Sequence, residues 1–357
     1  MKFLFYISTI SNGGAARVMS NLANTLSKQG YDCTLATTFR AIDEYVLDDS
    51  VKRYSFYDRK PISNWLLKNL SITRKLHNLV VREKPDLLVS FLVEPNYRAA
   101  LATIGTATKT VLSVRNDPNW EFRGRVRTLL AKFLYRRADG VVFQTEEAKA
   151  WFPQCIQDKS CIIFNAVKEE FYEVELSENR SGIVATGRLS RQKNHSLLVR
   201  AYAKIADQTE DDLTIYGAGD TSQLQDLAQN LGVASRVHFP GQTMDVKKAI
   251  KGAKVYVMSS DFEGMPNALM EAMAMGLPCI STDCPCGGPH ALFKDNMYHF
   301  LTPVGDDDTM AERMLELLND PMLRKEHGQR CKDAAKNFAP EIINRQWEEY
   351  LLSVVKH

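Results

Sequence analysis

The sequence predicts an α/β protein made of two doubly wound domains with parallel sheets. Three observations carry this: short apolar runs alternate with helical stretches, the alternation comes in two separate series, and 357 residues exceed one typical core. The first series opens with the run Phe3 to Ile7, then a polar and glycine loop from Ser11 to Gly14. A helical pattern follows, with Val18, Leu22 and Leu26 four residues apart. Gly30 stops that helix, and "DCTLATT", "PDLLVSFL", "TKTVLSV" and "GVVFQT" read as further buried strands between helical segments. The second series starts at "SGIVATGRL" and continues through "DLTIYG", "RVHFPG", "KVYVMSS" and "LPCIST". Amphipathic segments such as "HSLLVRAYAKIA" and "SQLQDLAQNLG" lie between those strands.

The Glu-rich, apolar-poor stretch 167–182 separates the series and places the boundary near residue 175, giving domains at 1–174 and 175–338. From about Thr309 the pattern is purely helical. It ends in a helix over 339–357 whose stripe of Ile342, Trp347, Tyr350, Leu351 and Val354 needs a surface to pack on.

Composition narrows the function classes. Apolar residues at 45% and charged residues at 25% fit a globular chain without long disordered arms. Residues 1–180 carry 26 Lys and Arg against 20 Asp and Glu, whereas residues 181–357 carry 19 against 23. A mildly basic first half is too weak for nucleic acid, yet suits an anionic lipid or a phosphorylated acceptor. The seven scattered cysteines and the absence of a leader-like start lead us to expect a reduced, cytoplasmic protein. No apolar window reaches the length of a membrane-spanning helix, so membrane contact would be peripheral. Cys279, Cys284 and Cys286 cluster but lack partners at zinc spacing. The acids Asp306 to Asp308 precede a helical run and read as an N-cap, so no metal is expected.

Four stretches could carry chemistry. In "SNGGAAR", Gly13 and Gly14 stand between strand and helix, where a bare backbone and free helix N–H groups can meet an anion, and Arg17 adds a fork suited to phosphate. A turn that simply requires glycine is the plainer reading. In "GRLSRQKN", Arg188 and Lys193 leave a strand end together, and two cations there suit a diphosphate, although an exposed basic loop would look the same. In "SSDFEGMPNALMEAMAMGLPCI", a strand leads through a Gly-Met-Pro turn into a helix beginning around Pro266 and Asn267. Glu263 precedes that helix and Glu271 lies one turn inside, so both carboxylates could accept from hydroxyl-rich ligands. A capping acid and a solvated acid are the alternative. Fourth, within "EFRGRVRTLLAKFLYRRADG" residues 122–137 form a basic amphipathic candidate, either an ordinary surface helix or a contact for an anionic membrane.

With "GRLSRQKN" upstream, the spacing of Glu263 and Glu271 resembles the retaining glycosyltransferases of family four. "SNGGAAR" and "GGPHALF" match further stations of that family. The resemblance implies the GT-B fold: two Rossmann-like domains facing a central cleft, acceptor domain first and donor domain second, with the last helix packing back on the N-terminal domain. It also implies that Arg188 and Lys193 hold the diphosphate of a nucleotide sugar, with uridine the usual base. Glu271 would take the ribose, and Glu263 would take the transferred sugar with the backbone of Gly264, Met265, Pro266 and Asn267. Gly13 and Gly14 would border the donor phosphate and the acceptor. Under this reading Glu263, Arg188 and Lys193 form the catalytic group, no metal or cofactor is needed, and the acceptor is a glycan or a lipid-linked glycan of surface polysaccharide or glycolipid synthesis.

One stretch departs from the family pattern. Many relatives carry a histidine in the N-terminal domain near the reacting sugar, and the comparable stretch here, "LSVRNDPNW", offers Arg115, Asn116 and Asp117 instead. His77 and His195 lie in helical patterns and read as structural. The resemblance implies retention by front-face attack, in which the departing phosphate, stabilised by Arg188 and Lys193, takes the acceptor proton, and the absence of an evident enzymic nucleophile is consistent with it. Two other readings stay open at this point: an epimerase of the same architecture, and a nucleotide-sugar-binding subunit without turnover. A dehydrogenase lacks its glycine fingerprint here.

Overall fold

The computed structural model describes residues 1–11, 13–59 and 65–356, the side chains of Trp65 and Leu66 excepted. Asn12, within the first glycine loop, therefore lies outside the described residues. The chain divides into two compact units, Met1–Ala166 with Glu341–His357, and Val167–Pro340.

Among the described residues the first unit holds seven parallel strands: β1 (Lys2–Ile7), β2 (Asp32–Thr37), β3 (Lys52–Ser55), β4 (Leu87–Phe91), β5 (Lys109–Ser113), β6 (Gly140–Phe143) and β7 (Ser160–Ile162). Their order is β3-β2-β1-β4-β5-β6-β7, so the winding reverses between β1 and β4. Strands covered on both faces must be apolar throughout, and β1, β4 and β6 are buried along nearly their whole length. The final helix, Pro340–Lys356, belongs to this unit. Its Ile343, Trp347, Leu351 and Val354 join the same core, with Trp347 5.4 Å from Phe91 between ring centroids. The Tyr350 hydroxyl accepts from the Val141 amide at 2.8 Å and donates to the Lys159 carbonyl at 2.7 Å, tying the helix to β6 and to the start of β7.

In the second unit the described strands are β8 (Ile183–Thr186), β9 (Leu213–Tyr216), β10 (Val237–Gly241), β11 (Val255–Met258), β12 (Cys279–Thr282) and β13 (Leu301–Thr302), all parallel, in the order β10-β9-β8-β11-β12-β13. Here the reversal falls between β8 and β11. Loops that leave adjacent strands in opposite directions open a crevice at their carboxyl ends, and this is where doubly wound sheets receive ligands.

Two features correct the sequence reading. Strands β3, β7 and β13 were not anticipated; each is a sheet edge of two to four residues, and β3 and β7 are at most partly buried. The division between units falls at Ala166/Val167 rather than near residue 175. The segment read as linker packs within the second unit: the Val167 amide donates to the Phe338 carbonyl at 3.0 Å, Phe171 is buried, and the Tyr172 hydroxyl donates to the Ala335 carbonyl at 2.8 Å.

Candidate active site at the strand ends

After β8 the chain makes a loop whose shape is set by backbone contacts with its neighbours. The Gly187 amide donates to the Tyr216 carbonyl at 2.9 Å and the Leu189 amide to the Ala218 carbonyl at 2.8 Å. A Cβ on Gly217 would lie 1.8 Å from the Gly187 carbonyl oxygen, so this close approach requires glycine. Asn194, at φ 40° and ψ 49°, ends a short turn over Arg191–Lys193 and caps the helix His195–Ala203, accepting from the Leu197 amide at 3.2 Å. Its amide nitrogen reaches Asp261 Oδ1 at 2.6 Å. The Asp261 amide donates to the Gln192 carbonyl at 2.8 Å, and Gln192 Nε2 donates to the Phe262 carbonyl at 3.0 Å. The loops that follow β8 and β11 are thus laced together.

That lacing brings Lys193 to Glu263. Lys193 Nζ lies 2.6 Å from Glu263 Oε1, an oxygen that also accepts from the Ser260 hydroxyl at 2.8 Å. Glu263 is only 7% exposed, so its carboxylate is held by two donors in a largely dry setting. Arg188 is exposed, and among the described residues its guanidinium forms no ion pair. Glu271 is buried in the helix Asn267–Ala274, close enough to Tyr256 for their charges to interact, and the Tyr256 hydroxyl bonds Thr186 Oγ1 at 2.9 Å. Pro266 precedes the first helical residue and no side chain caps that end, an arrangement suited to an anion or to sugar oxygens. Met265 and Pro266 are buried, and a Cβ on Gly288 would come 1.7 Å from the Gly264 carbonyl oxygen, so "CGGPH" presses directly on the turn.

His195 packs beneath this loop. It is buried, its ring lies against the Gly187 and Arg188 backbone without a well-formed hydrogen bond, and burial pushes its pKa down to about 4. It is neutral at physiological pH and supports the loop from below, the structural part expected of it. His77 is likewise tied down, with Nδ1 2.8 Å from the Ala102 carbonyl. Asp306 caps the helix Asp307–Asn319, accepting from the Thr309 amide at 2.9 Å. Cys279, Cys284 and Cys286 are free and buried, and desolvation raises the Cys284 thiol to about 12. Among the described residues, no group of three or more His, Cys, Asp or Glu side chains is gathered for a metal.

In the first unit, Gly13 at φ 108° immediately precedes the helix Gly14–Lys28, whose N-terminus has no side-chain cap and no acid in its first turn; Arg17 is half-buried one turn in. This helix follows β1, at the winding reversal. Arg115, expected as a cleft residue, instead turns into the domain. It donates to Asn165 Oδ1 and, at 3.4 Å, to Ser113 Oγ, and its guanidinium stands 4.7 Å from the Phe91 ring centroid. Burial lowers its pKa to about 9. Asn116 is half-buried, and Asp117 caps the short helix Pro118–Glu121.

Sequence reasoning named the charged groups but missed their supports: Ser260, Asp261, Asn194, Gly217 and Gly288. The available signals were the glycines of "YGAG" and "CGGPH", each placed just beyond a strand. What those glycines touch depends on partners 24 to 30 residues away, which spacing alone does not reveal.

Two parallel α/β units, each with a crevice at a winding reversal, define a GT-B protein. The description "Glycosyltransferase Family 4" matches residues 12–171 and "Glycosyl transferases group 1" matches residues 167–338, so the chain belongs to the group 1 glycosyltransferases. It is 28% identical over 356 residues to an uncharacterised glycosyltransferase of Haemophilus influenzae, covering 98% of this chain and 99% of that one. It is also 28% identical over 368 residues to the Campylobacter jejuni N-acetylgalactosamine-N,N'-diacetylbacillosaminyl-diphospho-undecaprenol 4-alpha-N-acetylgalactosaminyltransferase, covering 98% and 99%. The fold is similar to that of Anabaena HepE in complex with UDP, at a TM-score of 0.83 with 18% identity, over 99% of this chain and 100% of that one.

Proposed function

We propose that this glycosyltransferase is a retaining enzyme that moves a sugar from a uridine diphosphate sugar to a glycan or lipid-linked acceptor in surface polysaccharide or glycolipid synthesis. The observation that carries the reading is the Lys193–Glu263 pair beside the exposed Arg188, at the carboxyl ends of β8 and β11. The Campylobacter relative, named for a diphospho-undecaprenol substrate, supports the lipid-linked acceptor, and the UDP complex of the Anabaena neighbour supports the base.

In this proposal Arg188 and Lys193 neutralise the diphosphate, the task a divalent metal would otherwise perform. Glu263, oriented by Ser260, accepts from hydroxyls of the sugar, with the Gly264, Met265, Pro266 and Asn267 backbone beside it. Glu271 accepts from the ribose diol. The bond from the anomeric carbon to the phosphate oxygen breaks, a bond to the acceptor oxygen forms on the same face, and the acceptor proton passes to the departing phosphate. Because Lys193 is already paired, donor binding shares its ammonium between carboxylate and phosphate. Gly13 and Gly14 are assigned to the donor phosphate, and Arg17 and Asn116 to the acceptor; Arg115, turned into the domain, is assigned no ligand. A lipid-linked acceptor would bring the protein to the cytoplasmic face of the plasma membrane.

The test is thermal stabilisation by UDP, GDP, ADP and their sugar conjugates, for the natural chain and Glu271→Ala, followed by product analysis in EDTA. A UDP-sugar response that Glu271→Ala abolishes, with an α-configured product from an α-configured donor, supports the reading. A response to no nucleotide, or an inverted product, overturns it.

A further inference from the structure

The helix Arg125–Arg137, "RVRTLLAKFLYRR", has two apolar faces, and the structure uses one. Ala131, Leu134 and Tyr135 are buried, and Tyr135 is bonded through its hydroxyl by Asn96 Nδ2 at 2.7 Å. On the face turned away from them, Val126 is 79% exposed, Leu129 68%, Phe133 61% and Leu130 43%. Positions 126, 129, 130 and 133 form one continuous stripe on a helix. Single exposed apolar side chains are ordinary; four in one stripe form a contact surface.

The charges around the stripe identify what covers it. The helix carries Arg125, Arg127, Lys132, Arg136 and Arg137 and no acid, and Arg123 stands just before it. The five arginines are exposed, and among the described residues none of them forms an ion pair. Helical spacing sets Arg125 and Arg136 along one edge of the stripe, with Arg137 at its end. Trp120, 43% exposed and 5.7 Å from the Arg123 guanidinium at its ring centroid, extends the surface. Two copies of this face would bring like charges together. A nucleic acid would satisfy the arginines but leave the leucines and Phe133 against water. A surface with anionic headgroups over acyl chains satisfies both.

We propose that the helix Arg125–Arg137 is a docking face for anionic phospholipid, lying in the plane of the membrane surface with Val126, Leu129, Leu130 and Phe133 at the headgroup boundary. This face deepens the proposed use of a lipid-linked acceptor, but its test requires neither donor nor acceptor.

The test is flotation with vesicles of mixed phosphatidylglycerol and phosphatidylcholine against vesicles of phosphatidylcholine alone. The natural chain is expected to float with the mixed vesicles, less so in high salt, and far less with the neutral ones. Leu129→Asp with Phe133→Asp should abolish flotation while leaving the unfolding midpoint unchanged, because both side chains are already in water. Arg125→Gln with Arg136→Gln should lower partitioning by roughly fivefold for each charge removed. No preference of the natural chain for the anionic vesicles, or undiminished flotation of the double aspartate variant, overturns the proposal. So does a dimer that this variant dissociates without any vesicle binding, since the face would then pair copies. Flotation retained without any nucleotide response would count against the transfer reading alone.

Discussion

Lys193 and Arg115 both follow a buried parallel strand, β8 in one case and β5 in the other, and both are cations in dry surroundings. Their charges are balanced in different ways. The Lys193 ammonium meets a carboxylate at 2.6 Å, and Ser260 supports the same oxygen. The Arg115 guanidinium meets only neutral oxygens, from Asn165 and Ser113, and the face of Phe91. A buried cation with a carboxylate forms a pair in which each member needs the other, whereas one among neutral dipoles keeps a net charge that a ligand can still use. The second unit therefore holds its charge in a closed pair, and the first holds an open one.

The largest effect expected from this difference is at Lys193. Replacing Lys193 by Met leaves the nearly buried Glu263 without its cation, at a cost of about 3–5 kcal/mol near neutral pH. Transfer should drop by about two to three orders of magnitude. Glu263→Gln keeps the Ser260 bond and frees an ammonium that can turn to water, so it should destabilise less while lowering activity comparably. Urea unfolding from pH 5 to 8 checks the pair; equal stability of Lys193→Met and the natural chain across that range would show that the two groups do not depend on each other.

How much of this was legible follows the same local-versus-distant division. Strands such as Lys2–Ile7 and Val255–Met258 announce themselves because burial on both faces demands apolar residues throughout. Lys52–Ser55 and Leu301–Thr302 lie at sheet edges, where a strand needs few apolar residues, and they leave no such run. Glu-rich 167–182 reads as a linker because one turn of helix, Glu169–Tyr172, shows little beyond its charges; Val167, Phe171 and the Tyr172 hydroxyl reveal that it packs. Arg188, Lys193, Glu263 and Glu271 are readable from residue type and spacing as charged groups near strand ends. That Lys193 closes on Glu263 across 70 residues is not, nor is the inward turn of Arg115, because both depend on which loops the sheet order makes neighbours. In Arg125–Arg137 the 3.6-residue period carried two apolar faces, and periodicity alone does not say which one meets the core.

A middle-sized effect tests the support beneath the loop that follows β8. The His195 pKa of about 4 lies below the ordinary value of 6.5, so the unfolded chain takes up a proton that the folded imidazole refuses. Stability from this residue is complete above pH 6.5 and is lost as pH falls toward 4, by on the order of 3 kcal/mol. His195→Gln should flatten that part of the pH profile relative to the natural chain. A parallel acid limb in both proteins would mean that the loss comes from other groups.

The smallest expected effect on stability belongs to Arg115, and its sign completes the comparison. Removing an uncompensated charge relieves a desolvation cost, so Arg115→Met should be within about 1 kcal/mol of the natural chain at pH 7, or more stable. The folded pKa of about 9 lies below the ordinary 12.5, so the unfolded chain binds the extra proton between these values. The natural chain should therefore gain stability relative to Arg115→Met as pH climbs through that interval. A strong destabilisation of Arg115→Met at neutral pH would show that Asn165, Ser113 and Phe91 compensate the guanidinium as well as Glu263 compensates Lys193, and the two strand ends would then be balanced alike.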